Sequence, residues 1–194
     1  QAEIASQYFS AITTKGIGMY EATEDNLMKM FARFANSGPS VRRVLYEKLP
    51  LEPAYRELFL QGLKDSSYNN VEFVVDRLWN STPLSNDQTA VGISRAEILE
   101  AIKGEQGHLH NLKIKYLECA YQYALSRPEN SAENDAQMYI NLLKDMVGPY
   151  YEFRTRTTAM SALKRQGYLD AQLAQNLFDA FLNFNSRLAG PAGE

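Results

Sequence analysis

Apolar side chains in this 194-residue chain recur three and four positions apart, in runs cut by Gly, Pro, Asn and Ser. Such spacing demands helices that each bury one face, because 3.6 residues per turn stack those positions along a stripe, whereas a half-buried strand needs strict alternation. Ile4, Tyr8 and Ile12 open the series. Leu27, Met30, Phe31 and Phe34 follow Thr23-Glu24-Asp25, a hydroxyl and two acids suited to a helix N-terminus. Ser40 is placed to cap Val41, Val44, Leu45 and Leu49, and Pro53 suits the first turn of a helix carrying Tyr55, Leu58, Phe59 and Leu63. Val71, Val74, Val75 and Leu78 carry the period to Trp79, although the β-branched valines also admit a strand.

The stretch 80–92 is polar, contains Pro83 and has no apolar period. Ser94 and Glu97 then form a capping box ahead of Ile98, Leu99 and Ile102. Leu109, Leu112, Tyr116, Cys119 or Ala120, and Tyr121 share the next stripe; Met138, Tyr139, Leu142, Leu143 and Met146 build another. Phe153, Met160 and Leu163 run up to Gly167, and Leu173, Leu177, Phe178, Phe181 and Leu182 follow a cap near Asp170. No fixed repeat period relates these segments, which favours a compact bundle over a solenoid. The expectation is an all-α fold, an irregular multi-helix bundle of about ten helices. Its organisation is expected as an N-terminal half, 1–79, a linker loop, 80–93, and a C-terminal half, 94–194, either packed as one domain or standing as two.

Hydrophobic and charged fractions of 45% and 22% are ordinary for a folding chain. A net charge of -3 with scattered Lys and Arg offers no footprint for nucleic acid. Apolar runs fall far short of the roughly 20 residues that span a bilayer, so no integral membrane association and a soluble chain are expected. Cys119, the one cysteine, cannot form an internal disulfide and is expected to be a buried, inert thiol. The compartment stays open, intracellular or secreted through a non-disulfide route, as do the oligomeric state and whether a leader precedes Gln1. Asn80-Ser81-Thr82 is a glycosylation triplet that would matter only in a secreted eukaryotic chain.

Four short segments resemble known sites. Glu105-x-x-His108 has the spacing of half a di-iron site in ferritin-like proteins, but the chain has no second Glu-x-x-His. His110-Asn111-Leu112-Lys113 is similar to the phosphorylated core of histidine phosphotransfer domains, which would make His110 the acceptor and Lys113 its support; Ile114 stands where that family has Gly. Residues 86–97 resemble the exit of an EF-hand loop, yet Gln88 and Ala90 replace ligands and Val91 replaces the turn glycine. Lys15-Gly16-Ile17-Gly18 is similar to the opening of an annexin repeat, with Met19 departing from the usual Thr.

No nucleophile elbow, Walker loop, dinucleotide fingerprint or Cys-x-x-Cys pair is present. Aromatic residues remain the lead, with 12 Tyr and 9 Phe in a helical chain. Tyr116, Tyr121, Tyr150, Tyr151 and Phe153 form a candidate partner-binding set, since tyrosine combines apolar area with a polar tip; packing at helix crossings would explain the same residues. The expected function is a non-enzymatic helical protein–protein interaction module, an adaptor, secretion-associated or regulatory factor whose partner is another protein. The alternative is a ligand- or metal-responsive regulator built on Glu105, His108 and His110. No cofactor and no bound metal are expected.

Overall fold

The computed structural model describes residues 3, 4, 7, 24–104, 110–127 and 133–182. Among these residues the fold is all-helical, with α1 Glu24–Phe34, α2 Pro39–Lys48, α3 Arg56–Gly62, α4 Tyr68–Asn80, α5 Arg95–Lys103, α6 His110–Leu125, α7 Glu133–Asp145, α8 Phe153–Arg165 and α9 Ala171–Leu182. A 3₁₀ turn, Pro53–Tyr55, leads into α3. The valine-rich segment is helical, since Val71, Val74, Val75 and Leu78 fall on one buried stripe of α4. No described helix is long and apolar enough to cross a membrane. The chain forms two compact units, 1–101 and 102–194, whose boundary lies inside α5.

In the first unit α2 packs against α1 and α4, and α4 against α3. α2 begins one residue before the expected cap: Pro39 takes the first position and Gly38 the N-cap, so Ser40 lies inside the helix. Phe31, Leu45, Tyr46, Phe59, Val74 and Leu78 are buried in this unit. Gly62 closes α3 where there is no room for a side chain, because an added Cβ would meet Tyr46 Cε1 and Val74 Cγ2, each at 2.9 Å. Gly62→Ala is therefore expected to lower stability by about 1–3 kcal/mol through overpacking, despite alanine's better helix propensity. Chemical denaturation checks this, and a stabilised variant would mean that the Tyr46 ring moves aside freely.

The stretch 80–93 is folded onto the first unit. Thr89, Val91 and Ile93 are buried, and the backbone pairs Gln88 with Ser94 in one antiparallel bridge. Gly92 turns the chain with φ 78°, a left-handed conformation that glycine adopts without penalty. Arg95 anchors the loop. Its side chain is fully buried, and it donates to the carbonyls of Asn86 (3.1 Å), Trp79 (3.3 Å), Thr82 (2.7 Å) and Pro83 (3.1 Å). The guanidinium also lies 4.6 Å from the Trp79 ring centre.

The second unit is a three-helix core of α6, α7 and α8 to which α9 is added. Ile114, Leu117, Ile140, Leu143, Ala159 and Leu163 fill its centre. The face that α7 buries differs in part from the one expected. Leu143, and Met146 just past the helix, are buried as expected and Tyr139 packs on the core, but Ala136 and Ile140 point inward where Met138 and Leu142 are exposed. α8 ends at Gly167, where φ is 63°, with Tyr168 N donating to Leu163 O and Gly167 N to Lys164 O, the paired bonds of a Schellman stop. Three residues later Asp170 Oδ1 accepts from Leu173 N at 2.8 Å and caps α9 as its position suggests.

Candidate functional site

Chemistry would be expected where titratable side chains cluster. In the first unit the buried Asp65 carboxylate accepts from Arg42 Nε at 2.7 Å and Nη2 at 2.8 Å, from the Tyr46 hydroxyl at 2.9 Å and from Ser67 N at 2.8 Å. Burial raises its pKa, but the bonds from Arg42, Ser67 and Tyr46 outweigh that and hold it below the ordinary value. Burial and the bond donated to Asp65 push the Tyr46 phenol upward. In the second unit the buried Glu118 receives Arg165 through two parallel 2.8 Å bonds, with Gln166 donating a third at 2.8 Å. Lys144 donates to Asp170, and that bond raises its pKa against the effect of burial. Each cluster ties helices together: α2 to the loop before α4, α6 to α8, and α7 to the start of α9.

Among the described residues, no buried side-chain nitrogen or oxygen lacks a hydrogen-bond partner, and no three His, Cys, Asp or Glu side chains converge as a metal site would require. Glu105 and His108 lie outside the described residues, as does Lys15-Gly16-Ile17-Gly18. His110 opens α6 at the surface. Its Nδ1 is 3.0 Å from the Thr155 hydroxyl, and its ring meets Tyr151 edge-on at 5.5 Å. The EF-hand-like exit is accounted for by the capping box: Ser94 N donates to Glu97 Oε2 at 2.8 Å, Glu97 N donates to Ser94 Oγ at 3.1 Å, and Arg56 takes the other Glu97 oxygen. Cys119 is buried.

The five aromatic candidates divide. Tyr116, Tyr121 and Tyr151 are partly buried against the second unit's core. Tyr116 meets Tyr139 edge-on at 6.1 Å, and burial together with Tyr116 pushes the Tyr139 phenol up to about 12. Tyr150 is 98% exposed, and Phe153 is also exposed. The structure adds residues that the helical period had assigned to the interior. Phe178, Phe181 and Leu182 on α9 remain 56%, 53% and 58% exposed, because α9 turns only Leu173, Leu177 and Ala180 towards the core. Such surface, together with Met138 and Leu142 on α7, is the chemical feature of the second unit that the fold leaves unexplained.

Comparisons with family models, curated proteins and solved structures find no match for this chain. The site therefore rests on its own residues. A sequence signal for it does exist: on α9 the apolar residues span more of the helix circumference than one packing face requires.

Proposed function

We propose that the chain is a helical protein–protein interaction module whose docking surface lies on the second unit. One observation carries this reading: Phe178, Phe181 and Leu182 are held at the surface of a helix whose other face is already packed. Fully burying a side chain of this size is worth roughly 1.5–3 kcal/mol, and residues left a little over half exposed forgo about half of that each; clusters of them mark binding sites. Tyr150 and Phe153, at the turn into α8, add aromatic contact area. The buried ion pairs, by contrast, serve the fold.

Photo-crosslinking tests the proposal. A photoreactive amino acid placed at Phe153 or Phe178 in the cell of origin is expected to give discrete adducts, whereas one at the exposed Glu57 in the first unit should not. Equal labelling at all three positions, or none at the two aromatic ones, would remove the support for this surface.

A further inference from the structure

We infer that the exposed face of α9 is the self-association surface of this chain, occupied by α9 of a second copy running antiparallel. The inference rests on the interaction reading above and names the occupant of its α9 face. At about 100° per residue, the apolar side chains of α9 cover an arc of roughly 200°, twice what one packing face needs. Ala180, Leu173 and Leu177 take one half of that arc and pack inward. Phe181, Ala174, Phe178, Ala171 and Leu182 take the other half, and all five are exposed.

The exposed half is a second seam. Ala171, Ala174, Phe178 and Phe181 follow a three-four-three spacing, that of paired helices, with the two small residues in the first half and the two large ones in the second. A two-fold axis level with Asn176 brings Ala171 opposite Phe181 and Ala174 opposite Phe178, so each ring enters the space left by an alanine. A parallel pair would instead set ring against ring. An isologous contact requires such self-complementarity, and an arbitrary apolar patch does not possess it.

Charge agrees with this occupant. The seam and its flanking Gln175 carry no charge, Asp179 lies on the polar side of the helix, and Asp170 is engaged by Lys144. Two copies can therefore meet without like-charge repulsion, whereas a strongly basic or acidic partner would find little to answer its charge. Five side chains per copy bury less than the roughly 1,200–2,000 Å² of a standard interface, so the pairing is weak and depends on concentration.

Sedimentation velocity over a wide concentration range, with circular dichroism to confirm folding, tests the pairing. The mass of the unaltered chain is expected to rise towards twice the monomer's, and Phe181→Glu should hold it at the monomer. Ala174→Phe, although more apolar, should weaken association at least tenfold by setting ring against ring. The double variant Ala174→Phe/Phe178→Ala exchanges large and small positions and should restore it. Stronger association of Ala174→Phe would overturn the antiparallel seam in favour of unspecific apolar contact. A monomer at every concentration would overturn self-pairing altogether; adducts to a different protein from position 178 would then leave the interaction reading standing, and their absence would end both.

Discussion

Asp65→Ala is expected to destabilise the first unit by about 3–5 kcal/mol, because it removes the carboxylate that neutralises Arg42, leaving the guanidinium only Ser37 O and Ser66 Oγ, and leaves the buried Tyr46 hydroxyl without its acceptor. The carboxylate itself is almost fully shielded, with 1% of its side chain accessible, whereas Arg42 keeps 14% and can recover some hydration. The loss should therefore fall towards the lower end of that range. Trp79, the chain's one tryptophan, is buried in the same unit, so its fluorescence during urea denaturation reports the transition. Asp65→Asn should cost less, since an amide oxygen still accepts one bond. A shift below about 1 kcal/mol for the alanine variant would mean that solvent replaces the network. The pH dependence has a definite sign. A carboxyl whose folded pKa lies below its unfolded value contributes fully at neutral pH, and the contribution fades as pH falls below about 4 and through the folded value. The unaltered protein should thus lose stability on acidification more steeply than Asp65→Asn does.

The second large effect is expected at Arg95. Arg95→Met keeps the length of the side chain and removes its donors, leaving the carbonyls of Trp79, Thr82, Pro83 and Asn86 without the guanidinium that gathers them. Hydrogen bonds to a charged group contribute about 1.5–3 kcal/mol each, and water reaching the opened loop recovers part, so a net loss of about 3–5 kcal/mol is expected. Arg95→Lys should restore only a fraction, because a single ammonium cannot span four acceptors arranged around a planar fork. Amide exchange across residues 82–93 should accelerate far more than exchange in α4. Lysine performing as well as arginine would show that the position needs only a charge.

Helix content was legible because period and punctuation agree: the Ser94–Glu97 capping box and the Asp170 cap form as their spacing suggests, and Gly167 stops α8. The face each helix buries was harder to read. On α7, Met138 and Leu142 satisfy a helical period as well as Ile140 and Leu143 do, and only the positions of α6 and α8 decide between the two stripes. The aromatic set divided for the same reason, since Tyr116 and Tyr150 are chemically alike and differ only in what stands beside them. Arg95, inside the capping box, resembles an ordinary exposed residue of a first helical turn; three of the four carbonyls that define its role come from a loop with no periodic signal of its own.

The double duty of Asp170 couples two helices. A helix of twelve residues is marginal by itself, and α9 has its cap on the same carboxylate that neutralises Lys144 at the far end of α7. Docking α7 places Lys144 on the carboxylate that caps α9, so the end of one helix and the start of the next share a single group. Loosening either contact should loosen the other, and the seam that α9 presents therefore depends on the integrity of the three-helix core behind it.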